Sequence, residues 1–295
     1  MKEFKLGNIQ FTDTAIQAKS DPYIIGSFGA EGTGKSRFPL TGPEVIGYIP
    51  LERKTYKTVM KDAEELGKRM ILPKDHEAFV VNLRKANILS SEAASKEKNP
   101  AKASEVSNEV LKTYYRDYLN RIYDAVYAML AHDDIRLVVI DTFTQMCNIA
   151  YSALYGDEDK VIRIGTKIYK DRRDYRQEMI DFLNSLSSYH KHIILTHREK
   201  DEYNEAGQTG RKIWEGFPFL GNYTNLLIHH ESNKKWNPSS EDTEKQWHYA
   251  MTVRTCQLNP VLESGEYKRF WKDEEITFQN LITAVDPDVD MDSIT

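Results

Sequence analysis

The stretch that decides the fold is Gly29-Ala30-Glu31-Gly32-Thr33-Gly34-Lys35-Ser36. It follows the pattern G-x-x-x-x-G-K-[ST], in which glycines let a loop turn so that several backbone N–H groups point at phosphate oxygens. The apolar run Tyr23–Phe28 precedes this loop and is typical of a buried parallel strand. A helix is expected to begin near Lys35, with Pro39 limiting or kinking it. The pattern therefore predicts a phosphate-binding loop between a strand and a helix.

The chemistry of the loop indicates which ligand it takes. Lys35 is expected to place a cation on the β- and γ-phosphates of a bound nucleotide, and the Ser36 hydroxyl is expected to ligate Mg²⁺. The N-terminus of the following helix would add to the attraction for anions. ATP and Mg²⁺ are the expected ligands. The predicted nucleotide-binding residues are Gly29, Ala30, Glu31, Gly32, Thr33, Gly34, Lys35, Ser36 and Arg37.

Length and composition are those of one sizeable folded unit. The chain has 295 residues, of which 40% are hydrophobic, and its two cysteines are too few for a disulfide framework. No apolar run approaches the roughly 20 residues that a membrane-spanning helix needs, and no secretory signal is recognisable, so we expect a cytoplasmic protein without membrane contact. The net charge of −5 does not exclude nucleic acid, because a local basic stripe can still bind phosphates.

The chain divides into three parts. Residues 1–20 are interpreted as an N-terminal arm, residues 21–285 as the core, and residues 286–295 as an acidic, disordered tail. Ser90–Val106 is rich in small and polar residues and is predicted to be a flexible insertion in the core. Elsewhere in the core apolar strands alternate with amphipathic helices, which predicts an α/β fold with a mostly parallel sheet and helices on both faces. Ligands bind such sheets at the carboxyl edge of the strands.

Two acidic residues end predicted strands of this sheet. Val138-Val139-Ile140-Asp141 is an apolar strand closed by an aspartate, as a Walker B motif requires, and Asp141 is a candidate Mg²⁺ ligand, directly or through water. Glu52 closes the strand Val45–Leu51, and its carboxylate is placed to accept a proton from the water that attacks the γ-phosphate. Glu52 as a solvated strand-end acid beside Arg53 is the alternative.

A third strand end carries polar residues. Thr196 and His197 close the strand that follows the one bearing Asp141 along the chain. In sheets of this class that strand can lie beside the phosphate-loop strand, so that a polar side chain at its tip reports the γ-phosphate. Either residue is a candidate for this role, and an ordinary strand-end hydroxyl with a surface imidazole is the alternative.

Taken together, these segments resemble the RecA-like P-loop ATPase core. The chain is most similar to phage-encoded nucleotide-binding proteins with a RadA-like core, which act in single-strand annealing and recombination. The segments that carry the resemblance span most of residues 20–285, but only the phosphate loop is highly specific. They are Gly29–Ser36, Tyr48–Glu52, Val138–Thr142, Ile193–His197 and Ile276–Ile282.

The resemblance implies an ATP-driven homo-oligomer, ring or filament, that handles single-stranded DNA, with a single-strand-binding protein as a further partner. By position it makes Glu52 the catalytic carboxylate and Asp141 the Mg²⁺-associated acid. Glu202–Trp214 falls where such proteins place a DNA-facing loop. A base would stack on Trp214 while Arg211 and Lys212 meet phosphates. A solvated hairpin with a packed tryptophan is the equal alternative.

Three functions remain compatible with the sequence. The first is a DNA-dependent ATPase, the second a nucleotide-gated assembly or loader protein with slow turnover, and the third a P-loop kinase acting on a small molecule. A kinase needs an arginine-rich lid, which the basic stretch Lys160–Arg176 imitates, but a solvated helix face is the commoner role for such a stretch. Stimulation by DNA separates the first two functions, and phosphate transfer to an acceptor other than water identifies the third.

Overall fold

The fold is seen in a computed structural model, which describes residues 3–6, 9–12, 22–74, 83–157, 161–164, 167–170, 172–204, 207–235, 237, 239–241, 248–259, 262, 268–270, 276–287 and 289. The strands are β1 (Glu3–Leu6), β2 (Ile9–Thr12), β3 (Ile24–Gly29), β4 (Val45–Pro50), β5 (Arg69–Ile71), β6 (Leu137–Asp141), β7 (Val161–Ile164), β8 (Lys167–Lys170), β9 (His192–Asn204), β10 (Gly207–Trp214), β11 (Leu226–Ser232), β12 (Tyr249–Cys256) and β13 (Lys268–Phe270). The α-helices are α1 (Arg53–Glu65), α2 (Leu83–Ser95), α3 (Pro100–Leu130), α4 (Phe143–Tyr155), α5 (Arg173–Leu186) and α6 (Phe278–Val285).

The main sheet has nine strands, eight of them in the order β13-β12-β11-β3-β9-β6-β4-β5, with β10 pairing with the outer part of β9. All neighbours from β11 to β5 are parallel, whereas β10, β12 and β13 pair antiparallel. The predicted α/β fold with a mostly parallel sheet is therefore confirmed. Two further hairpins, β1–β2 and β7–β8, form separate two-stranded sheets.

The strand order positions the site. The strand that ends at the phosphate loop, β3, and the strand that ends at Asp141, β6, are not neighbours, because β9 lies between them. Strand β4, which leads to Glu52, lies on the far side of β6. All four are parallel, so their carboxyl ends meet at one edge of the sheet. This is the placement that the sequence predicts for the strand bearing Thr196.

Helices cover both faces of the sheet, as predicted. One face packs against α3, α4 and α5, with side chains such as Val138 and Ile193 pointing towards them. The other face packs against α1, α6 and the 3₁₀ turn Phe38–Thr41, with Val139 and Ile194 on that side. Neighbouring residues of a strand face opposite ways, which is why these pairs separate. Both cysteines are buried, as expected of small apolar residues.

The segment after the phosphate loop differs from the expectation. In place of a helix beginning near Lys35, the structure has a single turn followed by the 3₁₀ segment Phe38–Thr41. The N–H groups of Arg37 and Phe38 both donate to the Gly34 carbonyl, which closes that turn. Pro39 has no N–H group and disfavours helical geometry at the residue before it, so the turn does not extend. The attraction for phosphate therefore rests on the loop and one turn rather than on a long helix dipole.

The segment predicted to be a flexible insertion, Ser90–Val106, also differs. It contains the end of α2 and the start of α3, separated by residues 96–99. Pro100 occupies the first turn of α3, where its missing N–H group costs nothing, and the Asn99 side chain accepts a hydrogen bond from the N–H group of Ala101. Alanine, lysine and glutamate are strong helix formers, so a composition with few large apolar residues still gives a solvated helix.

The ends of the chain are only partly described. The predicted N-terminal arm contains the hairpin β1–β2, and residues 13–20 lie outside the described residues. Most of the predicted acidic tail, 286–295, also lies outside them. None of the helices in the described part of the chain combines the length and the apolar character that a membrane crossing requires.

Candidate nucleotide-binding and hydrolysis site

The phosphate loop has the backbone of an anion cradle. Gly32 and Gly34 have φ angles of +79° and +84°, which L side chains rarely adopt. A Cβ at Gly29 would lie 2.5 Å from the carbonyl oxygen of His230, so only glycine fits where β3 passes into the loop. The Thr33 hydroxyl and the Lys35 ammonium both donate to the Ala30 carbonyl, each at 2.9 Å. The loop is thus folded back on itself, with its lysine held inside.

Lys35 lies at the centre of a negatively charged site. The residue is 9% exposed, and burial lowers the pKa of its ammonium group. The carboxylates of Asp141 and Glu52 oppose this effect and raise the pKa, with smaller contributions from Glu31 and Glu199. A cation surrounded in this way is placed to exchange its contact with the Ala30 carbonyl for phosphate oxygens.

Asp141 is held by two hydroxyl groups. The hydroxyls of Tyr48 and Thr196 donate to its two carboxylate oxygens, and the carboxylate is buried. The register explains this meeting, because Pro50 pairs with Asp141 and Ile140 pairs with Leu195, so the three side chains share one face of adjacent strands. Burial and the neighbouring Asp141 carboxylate raise the pKa of Tyr48, so its hydroxyl remains a donor. Two fixed donors keep this carboxylate in one orientation.

Glu52 is also held, but by a charged partner. One of its carboxylate oxygens accepts hydrogen bonds from the Thr142 hydroxyl at 2.9 Å and from the Arg198 guanidinium at 2.6 Å. A backbone hydrogen bond from Leu51 to the carbonyl of Asp141, 2.6 Å long, fastens the end of β4 to the end of β6. Glu52 therefore lies at the mouth of the loop, where the sequence predicts the catalytic carboxylate, but in an ion pair with Arg198.

These residues line one cleft of about 1270 Å³ at the carboxyl edge of the sheet. The predicted set Gly29–Arg37 lines it, and Arg37 is in an ion pair with Asp62 of α1 at 3.5 Å. The rings of His248 and Tyr249 also line the cleft and stack with their centroids 4.0 Å apart, and a Cβ at Gly34 of the loop would lie 4.0 Å from Tyr249. A cleft of this volume, lined by the phosphate loop and two aromatic rings, accommodates a nucleoside triphosphate.

The residues present also fit Mg²⁺. The Asp141 carboxylate and the Ser36 hydroxyl lie close to each other, since both form hydrogen bonds with Tyr48. Within the part of the chain that is described, no group of three or more His, Cys, Asp or Glu residues forms a metal site by itself. Mg²⁺ in a nucleotide site usually takes one or two protein ligands and completes its coordination with phosphate oxygens and water.

Thr196 and His197, the two predicted γ-phosphate reporters, point in opposite directions. Thr196 faces Asp141. His197 is fully buried on the other face of the sheet, where its Nδ1 atom lies 3.0 Å from the carbonyl oxygen of Glu215 and its ring packs against Phe143. Burial lowers the pKa of His197 to about 4, so the imidazole is neutral. A phosphate-reporting role for His197 does not fit this position, because alternation along β9 turns its side chain away from the cleft.

The predicted DNA-facing loop is the hairpin β9–β10. Arg211 and Lys212 are exposed on it, and Lys212 is in an ion pair with Asp201 at 2.6 Å beside the nucleotide cleft. Trp214 takes the packed alternative, because its indole N–H donates to the Phe217 carbonyl at 2.8 Å and its ring lies against Phe28. The exposed aromatic ring of the hairpin is that of Tyr203, with 69% of the residue exposed.

A further carboxylate at the cleft, that of Glu199, was not predicted. Glu199, at the base of the hairpin, lies 2.9 Å from Nε2 of His229, and Nδ1 of the same imidazole lies 3.2 Å from the Arg254 guanidinium. Because the guanidinium can only donate, Nδ1 is the acceptor and Nε2 carries the proton given to Glu199. Phe28 stacks on the imidazole with the ring centroids 4.5 Å apart. This chain of contacts ties β12, β11 and β9 together next to the phosphate loop.

Tyr48 and Arg198 are residues of the candidate site to which the sequence analysis gave no role. Signals for both were present, since strand residues two apart share a face. Tyr48 precedes Glu52 by four positions, and Arg198 follows Thr196 by two. Their partners, however, are 93 and 146 residues away along the chain, and that distance hides the contacts until the strand order is known.

Comparison with known proteins extends no further than the general fold. No protein-family model and no curated protein matches the sequence. Among solved structures, a KaiC-like protein from the hyperthermophilic archaeon Pyrococcus horikoshii OT3 is similar at 12% identity and a TM-score of 0.38, with 81% of this chain and 82% of that chain covered. The RadB recombinase is similar at 10% identity and a TM-score of 0.40, with 87% and 90% covered. Such values carry no information on substrate or partner.

Proposed function

We propose that this chain is a RecA-like ATPase that binds ATP with Mg²⁺ and hydrolyses it. The observation that carries the proposal is the meeting of Lys35, Asp141 and Glu52 in one cleft from three different parallel strands. The P-loop strand, the Walker B strand and the strand of the candidate base each contribute one chemically distinct group. The order β11-β3-β9-β6-β4, with one strand between the loop and Asp141, supports the RecA-like assignment.

The proposed roles follow from the contacts. Lys35 leaves the Ala30 carbonyl and binds the β- and γ-phosphates. Ser36 and Asp141 would hold Mg²⁺, and the hydroxyls of Tyr48 and Thr196 orient the Asp141 carboxylate. Mg²⁺, when bound, neutralises charge on the phosphate oxygens. Glu52 accepts a proton from a water molecule as the water oxygen bonds to the γ-phosphorus, the bond to the bridging oxygen breaks, and ADP and phosphate result.

We propose single-stranded DNA as the partner, in phage recombination, annealing or replication. Support comes from the resemblance of the sequence and from the hairpin β9–β10, which carries exposed Arg211, Lys212 and Tyr203, with Lys212 lining the cleft. Exposed aromatic rings and cations on one surface form the combination that binds single strands without reading their sequence. A homo-oligomeric ring or filament, a single-strand-binding protein as a further partner and a cytoplasmic location belong to the same proposal.

A nucleotide-gated assembly or loader protein with slow turnover is the second candidate. The ion pair between Glu52 and Arg198 favours it, because the guanidinium is hydrogen-bonded to the carboxylate oxygen Oε1 that would otherwise be open to a water molecule. A P-loop kinase is less favoured, because the strand order fits the RecA-like arrangement better. Phosphate transfer to a small-molecule acceptor would identify it.

ATP hydrolysis measured with and without single-stranded DNA tests the proposal. Low salt is used, since phosphate contacts weaken as salt rises. Turnover that increases with DNA and is lost in Lys35→Ala supports the DNA-dependent ATPase. Slow turnover that DNA leaves unchanged contradicts that function and favours the nucleotide-gated switch, which then predicts a nucleotide-dependent change of oligomer size in light scattering.

A further inference from the structure

We propose that Arg198 detects the γ-phosphate of the bound nucleotide and, in its absence, restrains Glu52. The sequence placed a detecting role on Thr196 or His197, but Thr196 is bonded to Asp141 and His197 is buried on the opposite face. Arg198 is the next residue of β9 whose side chain enters the cleft. The inference rests on the proposed function in one respect, namely that Glu52 is the residue that activates water.

The backbone of Arg198 lies beside the phosphate loop. In the parallel pairing of β3 with β9, Arg198 is the partner of Gly29, the first residue of the loop, and adjacent strands lie about 4.8 Å apart. Its N–H group donates to the Thr144 hydroxyl at 3.0 Å, and its carbonyl accepts from Glu215 at 2.7 Å. The main chain is therefore fixed from both sides, and any movement of this residue is a movement of the side chain.

The guanidinium group is the part that can change partner. Its side chain is 49% exposed, whereas that of Glu52 is 26% exposed, so the ion pair sits at the open mouth of the cleft. Guanidinium binds phosphate oxygens as readily as carboxylate, and with the same two-pronged geometry. A triphosphate whose β-phosphate lies over Lys35 would bring its γ-phosphate to the region between Gly29 and Glu52, within reach of Arg198.

The exchange has a defined chemical consequence. When Arg198 turns to the γ-phosphate, Oε1 of Glu52 keeps the hydrogen bond from the Thr142 hydroxyl, and the place left by the guanidinium is open to a water molecule. A diphosphate offers no γ-oxygen and leaves the ion pair intact. Arg198 is thus a phosphate-binding residue in one state and a positioning residue for Glu52 in the other.

Nucleotide affinities test the first half of the proposal separately from turnover. Fluorescence titration compares ADP with a non-hydrolysable ATP analogue, both with Mg²⁺. In Arg198→Ala we expect affinity for the analogue to fall about tenfold or more, the usual effect of losing a charge-assisted hydrogen bond, and affinity for ADP to change less than about twofold. Arg198→Lys keeps the charge but not the two-pronged guanidinium, so its affinity for the analogue should lie between those of the wild type and Arg198→Ala. Arg69→Ala, which breaks a surface ion pair with Asp134, is the matched control and should change neither.

A double-mutant cycle tests the exchange itself. Glu52→Gln removes the carboxylate that competes for Arg198, so it should tighten binding of the analogue several-fold in the wild type and have no such effect in Arg198→Ala. Equal tightening in both backgrounds would mean simple repulsion between Glu52 and the phosphate, and would overturn the exchange. Equal losses for ADP and analogue in Arg198→Ala would overturn the detecting role. A wild type that does not hydrolyse ATP but still shows the cycle would refute the proposed function alone.

Discussion

Tyr48 matters at the scale of single residues because its hydroxyl touches both candidate Mg²⁺ ligands. It donates to Asp141 and also forms a hydrogen bond with Ser36, although the ring itself belongs to the buried core. A buried carboxylate without its donors loses its fixed orientation and becomes costly to keep ionised. The hydroxyl of Tyr48 should therefore influence the affinity for the ion without touching the nucleotide.

Replacing Tyr48 by phenylalanine isolates this hydroxyl. We expect Tyr48→Phe to fold, to lower the free energy of unfolding by about 1.5–3 kcal/mol, as for a hydrogen bond to a charged group, and to raise the Mg²⁺ concentration needed for half-maximal hydrolysis. Urea unfolding and an Mg²⁺ titration of turnover measure the two effects.

Tyr127→Phe is the matched control for that experiment. Its hydroxyl lies 2.8 Å from the Ser185 hydroxyl, remote from the cleft, so it should cost about 1 kcal/mol of stability and leave the Mg²⁺ dependence unchanged. If both variants shift the Mg²⁺ dependence alike, the role given to Tyr48 is wrong.

At the same scale, the sequence predicts some site residues and hides others. Lys35, Ser36 and the glycines are recognisable because phosphate binding by backbone needs a fixed local spacing, which no distant residue has to complete. The partner of Glu52 cannot be recognised from local spacing in the sequence. Arg198 lies 146 residues further along, and only the order of β9, β6 and β4 brings it to Glu52. Periodicity assigns a face of a strand but not the neighbouring strand.

Among the elements, α4 ends on a glycine that cannot be replaced. Gly156 has a φ angle of +63° and a ψ angle of −129°, a combination almost confined to glycine. A Cβ there would lie 1.8 Å from Oδ1 of Asn108, the amide that joins α3 to this turn through hydrogen bonds with the Tyr155 carbonyl and the N–H group of Asp157. The junction between the two helices depends on that absent side chain.

Two glycine substitutions with nearly the same φ test this junction. Gly67, after α1, has a φ angle of +64°, and a Cβ added there would meet no atom within 4 Å. Gly67→Ala should cost about 1–2 kcal/mol, the strain of the left-handed conformation alone. Gly156→Ala should cost more than about 3 kcal/mol, because a clash with Asn108 is added. Similar losses for the two variants in urea unfolding would contradict the packing described.

The hairpin β9–β10 leads to a prediction on DNA binding. Tyr203 is exposed and Trp214 is packed, so Tyr203→Ala should weaken binding of a labelled single-stranded oligonucleotide about fivefold to a hundredfold, the range for one lost base stack, without loss of stability. Trp214→Phe should instead lower stability and leave DNA affinity nearly unchanged. Fluorescence anisotropy at low salt and thermal unfolding distinguish them, and the reverse pattern would restore Trp214 as the stacking residue.

The helices α2 and α3 show that amino-acid composition alone does not predict whether a segment is helical. Few large apolar residues in Ser90–Val106 predicted flexibility, yet that criterion measures how much surface a segment can bury, not its backbone preference. A cap at Asn99 and proline in the first turn identify the start of α3 once they are sought. After the phosphate loop the expected helix is replaced by one turn and the 3₁₀ segment Phe38–Thr41, with Pro39 in its first turn.

The whole molecule should lose stability in mild acid. Burial lowers the pKa of His192 and His197 to about 4 and that of His230 to about 3, whereas an unfolded histidine titrates near about 6.5. Below about pH 6.5 the unfolded chain binds more protons than the folded one. The free energy of unfolding therefore decreases as the pH is lowered, until the pH reaches the pKa values of the folded state. Each group contributes at most about 1.4 kcal/mol per pH unit, so the three together contribute at most about 4 kcal/mol per pH unit.

Urea unfolding at pH 7.5, 6.5 and 5.5 measures this dependence. Stability should change little above about pH 7 and drop steeply below 6.5. His192→Asn should reduce the slope by about one third, since the amide oxygen can take over the hydrogen bond from the N–H group of Tyr23. His190→Asn, at an exposed histidine, should leave the slope as it is. A flat profile between pH 7 and 5.5 would show that the buried imidazoles are not kept neutral.

Strand β9 runs without a break from the centre of the sheet into the hairpin. Its 13 residues extend roughly 40 Å, from the buried centre of the sheet through Thr196 and Arg198 to the exposed hairpin. A one-residue insertion or deletion between Thr196 and the hairpin would turn every later side chain to the opposite face. We therefore expect changes of length to be tolerated beyond Asn204 and not before it. The hairpin can become longer or shorter during evolution, but its side chains must keep pointing to the same faces relative to the phosphate cleft.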